Sequence, residues 1–102
     1  MPSYIDRDPL GLTAREYEVA LLVCAELSDE EIARVLWVST HTVKTHMKNI
    51  RGRVGARTRL GVAVAFAGVY GERERERIVD VLVERARLTG AERAAMQLVG
   101  RA

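Results

Sequence analysis

Polar and cationic side chains recur along one side of a segment that the sequence predicts to be helical, residues 39–54. They are Thr42, Lys44, Thr45, Lys48, Asn49 and Arg51. The other side is apolar, because four residues recur at steps of three and four: Val43, Met47, Ile50 and Val54. A helix with these two sides buries one and exposes a surface rich in hydrogen-bond donors. Such donors can bind phosphates and the base edges in the major groove of DNA.

A shorter predicted helix precedes this one and would position it. Ser28 can cap its start, and Glu31 follows three residues later, which is the spacing of a capping box. Ile32, Ala33 and Leu36 give this helix one apolar stripe. A short helix, a tight turn and a longer helix with a basic outer side make the helix-turn-helix pattern. In that pattern the second helix lies in the DNA major groove.

The charge distribution supports this interpretation. The net charge of the chain is only +2, but residues 34–59 contain seven lysines and arginines and no acidic residue. Residues 16–31 contain six acidic residues and no basic one. A basic surface on the second helix is what binding to phosphates requires. A solvated helix side is the alternative, and the helix-turn-helix pattern favours DNA over it.

Three stretches resemble the LuxR/GerE-type DNA-binding domain: LTAREYEV from Leu12, EEIARVL from Glu30 and STHTVKTHMKNI from Ser39. The resemblance covers about residues 12–70 and is to the stand-alone members of the family. Its most specific piece is TVKTH. It implies an all-α domain of four helices in which residues 39–54 form the DNA-reading helix.

Carried onto this sequence, the resemblance implies which residues contact DNA. Base contacts are expected from Lys44, Thr45 and Lys48. Contacts with the DNA backbone are expected from Ser39, Thr42, His46, Asn49 and Arg51. The resemblance also implies a homodimer through the fourth helix, residues 58–70. Its expected interface residues are Val62, Phe66, Val69 and Tyr70. Apolar residues alternate there as they do in a strand, and the resemblance decides for a helix.

The chain is predicted to have three regions: a flexible leader (1–11), the DNA-binding domain (12–71) and a helical extension (72–102). The first helix should cover about residues 14–25, with Thr13 and Glu16 in a capping box. The family has glycine where this chain has Glu26. The extension should form one or two further helices, with a break at residues 88–90. Its apolar stripe has three alternative partners: helix four of its own chain, a second protomer or a different protein.

Catalysis and metal or cofactor binding are not expected. Cys24, His41 and His46 are the only soft metal ligands, and the two histidines diverge on a helix. No glycine-rich phosphate loop or nucleophile–base pair is evident. Cys24 is expected to be a core residue, and Trp37 a packed residue of the turn. Residues 60–70 are too few to span a membrane, and no signal peptide is evident. The chain is therefore expected in the bacterial cytoplasm, associated with the nucleoid.

These observations predict a dimeric, sequence-specific transcriptional regulator that is not an enzyme. Two alternatives stay open. Region 4 of sigma factors uses a similar pair of helices, which would make the chain part of a polymerase complex. Alternatively, the helix-turn-helix is a scaffold and the extension binds a protein partner.

Overall fold

Four helices follow one another in the computed structural model, which describes the backbone of residues 8–101 and the side chains of residues 8–87. They are α1 (Ala14–Cys24), α2 (Asp29–Leu36), α3 (Thr40–Val54) and α4 (Arg59–Arg101). No strand occurs within residues 8–101, so the prediction of an all-α fold is confirmed. The predicted helix-turn-helix consists of α2, the turn after it and α3.

The first three helices begin at the predicted capping residues. Thr13 and Ser28 each form a capping box with the glutamate three residues on. Ser39 caps α3, because its hydroxyl oxygen accepts a hydrogen bond from a backbone N–H of the first turn at 3.0 Å. Gly55 ends α3 in the left-handed conformation, with φ of 72°. The boundaries of α3 are therefore those that the sequence predicted.

The apolar side of α3 is buried in the core of the protein. Val43, Met47 and Ile50 pack in one cluster with residues of α1 and α2, among them Val19 and Ile32. Val43 and Ile50 have no exposed surface. Because one side of α3 is held in this way, its polar side must face the solvent.

The fourth helix is longer than predicted. We expected a helix over residues 58–70 followed by one or two separate helices, but α4 is a single helix of 43 residues. The predicted break at residues 88–90 is wrong, because these residues lie inside α4. Threonine and glycine each lower helix propensity by only about 1 kcal/mol or less. No proline interrupts the segment, and α4 packs against the core as far as Leu82.

Contacts with α1 hold the first half of α4. The rings of Tyr17, Phe66 and Tyr70 form a cluster with centroids 4.8–5.1 Å apart. One turn beyond Tyr70, the buried carboxylate of Glu74 accepts a hydrogen bond from the Tyr17 hydroxyl. The same carboxylate accepts another from Arg77 at 2.9 Å. The first turns of the predicted extension are thus part of the fold of the domain.

The apolar stripe of the extension packs partly on its own chain. Two of its residues, Ile78 and Leu82, lie against the core, as does the neighbouring Val81. Nε of Arg85 lies 3.2 Å from both carboxylate oxygens of Glu31, which joins α4 to the start of α2. Val79 and Val83 remain exposed. Packing on the same chain therefore accounts for one side of the stripe and leaves the other side open.

Residues 8–11 of the predicted leader are tied to α4. Oδ1 of Asp8 accepts a hydrogen bond from the Tyr70 hydroxyl at 2.6 Å, and Oδ2 accepts one from the Leu12 N–H at 2.7 Å. The rest of the predicted leader, residues 1–7, lies outside the described residues. The flexible segment that we expected thus does not extend to residue 11.

Two residues other than glycine adopt a left-handed backbone in the turns that flank α2. Glu26 has φ of 65° and Trp37 has φ of 58°. The prediction that Trp37 packs in the turn is wrong, because its side chain is 93% exposed. Trp37 is the left-handed C-cap of α2, and Val38 packs against the core in its place.

Replacing Glu26 with glycine should raise the free energy of unfolding by a few tenths to about 1 kcal/mol. A left-handed backbone costs a residue with a Cβ atom about 1–2 kcal/mol. The greater freedom of glycine in the unfolded chain offsets about 0.5–1 kcal/mol of that gain. Urea unfolding followed by circular dichroism measures the change.

Glu26→Ala is the matched control, because it removes the carboxylate and keeps the Cβ atom. We expect this variant to be no more stable than the parent. Equal stabilisation by glycine and alanine would contradict the explanation, since it would place the cost in the carboxylate and not in the backbone.

Candidate nucleic-acid interface

The outward side of α3 is a continuous polar surface. His41, Thr45 and Lys48 follow one another at steps of four and three residues, and all three are exposed. Lys44 and Asn49 flank them and are exposed as well. This surface lies opposite the buried apolar side, so the core packing of α3 decides which of its residues meet a ligand.

The three residues predicted to contact bases all lie on this surface. Oγ1 of Thr45 donates a hydrogen bond to the carbonyl of His41 at 3.1 Å. The methyl group is therefore the part of Thr45 that is left to contact a thymine methyl. Lys44 and Lys48 are four residues apart, which places their side chains one above the other along the helix.

The five residues predicted to contact the DNA backbone differ in exposure. Ser39 and Asn49 are exposed, whereas Thr42, His46 and Arg51 are half-buried. The Ser39 and Thr42 hydroxyls lie 2.9 Å apart and hydrogen bond to each other. These two hydroxyls are therefore held together at the first turn of α3, where the helix dipole favours an anion.

The cations of α3 fall into two groups. Lys44, Lys48 and Arg51 take part in none of the ion pairs that the structure describes among residues 8–87. Arg53 belongs to the second group, because its Nε lies 2.8 Å from Oε1 of Glu16. The first group is available to phosphates, and Arg53 has a structural contact.

Two ion pairs that the sequence analysis did not predict hold the helices around α3. Glu16 is only 3% exposed, so its contact with Arg53 ties the start of α1 firmly to the last turn of α3. Arg59 donates to Oδ1 of Asp29 at 2.7 Å and to the carbonyl of Leu27 at 2.6 Å, which ties α4 to α2. The basic block of the sequence thus contains two arginines with structural roles, and no periodic pattern indicated their partners.

Comparison with known proteins agrees with this architecture. The GerE family model, which describes bacterial regulatory proteins of the luxR family, matches residues 10–66, more than half of the chain. This chain belongs to the LuxR family. The family is one of DNA-binding transcription regulators, and the resemblance seen in three stretches of the sequence is confirmed. The matched residues contain α1, α2, α3 and the first two turns of α4.

Curated relatives share this LuxR-family region. The nitrate/nitrite response regulator protein NarP of Escherichia coli K12 is 36% identical over 62 residues, which are 60% of this chain and 29% of NarP. The transcriptional regulatory protein MctR of Rhizobium johnstonii is 38% identical over 55 residues, 54% of this chain and 25% of MctR. The alignments thus span less than a third of either relative. No solved structure matches the chain.

The fourth helix of this LuxR-family chain does not expose most of the residues predicted to form the dimer interface. Val62, Phe66 and Tyr70 are 1%, 1% and 2% exposed, because they pack in the core of their own chain. The prediction is wrong for these three, and only Val69 is exposed. Another side of α4 exposes four small or apolar residues at i, i+4, i+7 and i+8, here called the outer α4 stripe: Leu60, Val64, Ala67 and Gly68.

Three other features bear on function: possible metal ligands, membrane-spanning helices and the single cysteine. Residues 8–87 contain no group of three or more His, Cys, Asp or Glu side chains that could hold a metal ion. None of the helices in the described part of the chain is long and apolar enough to cross a membrane. Cys24 packs against the core as predicted, and its thiol donates to the carbonyl of Ala63 at 3.4 Å. Burial raises the pKa of this thiol to about 11.

At about pH 8, Cys24 of the folded chain should react with iodoacetamide at least about tenfold more slowly than in the urea-unfolded chain. With a pKa of about 11, only about a thousandth of the thiol is ionised at that pH, and the thiolate is the nucleophile. Mass spectrometry of a time course measures both rates. Equal rates in the two states would contradict the burial of this thiol.

Proposed function

We propose that this protein is a sequence-specific DNA-binding transcriptional regulator that reads the major groove with α3. One observation supports the proposal above all others. The exposed side of α3 is polar and free of acidic residues, and no carboxylate among residues 8–87 pairs with its Lys44, Lys48 or Arg51. A surface of this kind matches the negative potential of DNA and places donors where base edges are read.

In this proposal some residues of α3 contact bases and others contact phosphates. Lys44 and Lys48 donate to O6 and N7 of guanines, and the methyl group of Thr45 contacts a thymine methyl. The other five residues bind phosphates and fix the register of the helix: Ser39, Thr42, His46, Asn49 and Arg51. Their position along the flanks and at the first turn of α3 supports this division.

We also propose that two copies associate through the outer α4 stripe. Leu60 and Val64 are 73% and 63% exposed and lie one turn apart, so they form a contiguous apolar patch of the kind that marks an interaction site. Ala67 and Gly68 continue the stripe and are small enough to let a second helix approach closely. A twofold dimer would present two copies of α3 to half-sites about one helical turn apart.

The alternatives from the sequence carry less support. The family match over residues 10–66 favours a LuxR-family regulator over region 4 of a sigma factor. A role in binding another protein is best placed on the part of α4 beyond that match, where Val79 and Val83 are exposed. A DNA ligand would locate the protein in the bacterial cytoplasm, on the nucleoid.

Replacing Lys44 and Lys48 together with alanine should weaken binding to the preferred DNA site by about 1–3 kcal/mol for each base-reading side chain removed. The salt dependence of the affinity should also become less steep if either lysine contacts a phosphate. Fluorescence anisotropy of a labelled duplex, repeated over a range of salt concentrations, measures both effects. Unchanged affinity and sequence preference would contradict the role of α3.

The matched control removes the same charge elsewhere. Arg15 and Arg87 are exposed, and within residues 8–87 they pair with the nearby carboxylates of Glu18 and Glu84. We expect Arg15→Ala/Arg87→Ala to bind the preferred site nearly as well as the parent. An equal loss of affinity in both double variants would attribute binding to net charge and not to the surface of α3.

Val64→Glu should dissociate the dimer, whereas Val69→Glu should leave it intact. The two valines are five residues apart on α4 and therefore point about 140° away from each other. A glutamate in a twofold interface faces its own copy, which should raise the dimer dissociation constant at least about a hundredfold. Sedimentation equilibrium measures the constant. Dissociation by Val69→Glu alone would place the interface on the side of α4 that carries Val69 and contradict the outer α4 stripe.

A further inference from the structure

Trp37 is the most exposed of the large apolar side chains among residues 8–87, and neither the core nor the proposed base contacts explain its position. It is 93% exposed, and its backbone is in the left-handed region with φ of 58°. An exposed tryptophan side chain contributes no hydrophobic stabilisation to the fold. A left-handed backbone is strained for every residue with a Cβ atom. Neither feature stabilises the isolated chain, so a contact outside the chain is the natural explanation.

The surroundings of Trp37 indicate what that contact is. Its side chain lines an open groove of about 690 Å³ together with Arg34 on the last turn of α2 and with Ser39 and Thr40 at the start of α3. Arg34 is exposed and begins the segment that has no acidic residue until α4. Glu30 also lines the groove, but it lies seven residues before Trp37, about 10 Å away along α2.

We propose that the indole of Trp37 binds the sugar–phosphate backbone at the edge of the major groove that α3 occupies. The ring packs on a deoxyribose, and its Nε1–H donates a hydrogen bond to a phosphate oxygen, while Arg34 and the first turn of α3 face the same strand. This inference rests on the proposed function, because it needs α3 to enter the groove beside it. It adds a contact between the aromatic side chain of the turn and the DNA backbone to the contacts proposed for α3.

A protein partner fits these surroundings less well than DNA. Aromatic anchors of protein interfaces sit among other apolar groups that exclude water. The groove at Trp37 has only two other apolar residues, Ala33 and Val38. Beside the carboxylate of Glu30 it presents a guanidinium, two hydroxyl-bearing residues and the start of a helix, and these last three favour an anion. The exposed valine of α2, Val35, lines a different groove, between α2 and residues 80–85 of α4, to which Arg34 also contributes.

Trp37 is the only tryptophan of the chain, so its fluorescence tests the proposal directly. The full chain is titrated with a fluorescein-labelled duplex of mixed sequence at low salt, because a phosphate contact needs no particular sequence. Anisotropy of the label reports binding, and the tryptophan emission reports the surroundings of residue 37. We expect the emission to change in parallel with the anisotropy, and acrylamide to quench it less in the complex.

A substitution provides the second measurement. Trp37→Gly relieves the left-handed backbone and removes the ring, so the variant should fold at least as well as the parent by circular dichroism. Its affinity for the same duplex should fall about tenfold, the usual scale for removing a hydrogen bond to a charged group and the packing beside it. Val35→Ala removes exposed apolar surface from the neighbouring groove, and we expect it to bind like the parent.

The outcomes separate the two proposals. If the anisotropy rises while the tryptophan emission and its quenching stay as in the free protein, and Trp37→Gly binds like the parent, this inference is wrong and the proposed function stands. If the anisotropy does not rise, both proposals fail. Protection of Trp37 that appears only after RNA polymerase is added would also overturn the inference, because it would place the indole against a protein.

Discussion

The burial of one side of α3 is the constraint on which the rest of the structure depends. Val43 and Ile50 have no exposed surface, and Met47 between them is nearly as buried. A helix held by three such residues cannot rotate about its axis without exposing them to water, at a cost of about 1.5–3 kcal/mol for each side chain. Lys44, Thr45 and Lys48 are consequently presented as one fixed surface, as binding to a rigid duplex requires.

The other contacts serve to keep α3 in place. The pair of Glu16 and Arg53 fastens the last turn of α3 to α1, and Arg59 fastens α2 to the start of α4. The long α4 also contacts two other parts of the domain. Tyr70 hydrogen bonds to Asp8, which precedes α1, and Arg85 hydrogen bonds to Glu31 on α2. The backbone N–H of Ser28, and next the contact with Arg85, lower the pKa of Glu31. The part of α4 beyond the family match therefore helps to stabilise the domain through Tyr70 and Arg85.

Sequence patterns predicted the features of the fold that depend on neighbouring residues alone. The caps at Thr13, Ser28 and Ser39 and the stop at Gly55 set the helix boundaries within a few residues, so they could be read from the sequence. The interface residues could not, because α4 is apolar on every side near its start, and periodicity does not tell which side meets α1. Trp37 was misjudged for a related reason: a left-handed backbone, not hydrophobicity, decides where its side chain points.

The most direct test of the account is a selection of bound sites from a random DNA library, with the full chain at near-physiological salt. If two copies of α3 read adjacent major grooves, the enriched sequences should form an inverted repeat. The centres of its half-sites should be about one helical turn, roughly 10 base pairs, apart. A single enriched half-site would support reading by α3 and contradict the dimer. No enrichment of any sequence would contradict the central claim, that the exposed side of α3 recognises DNA.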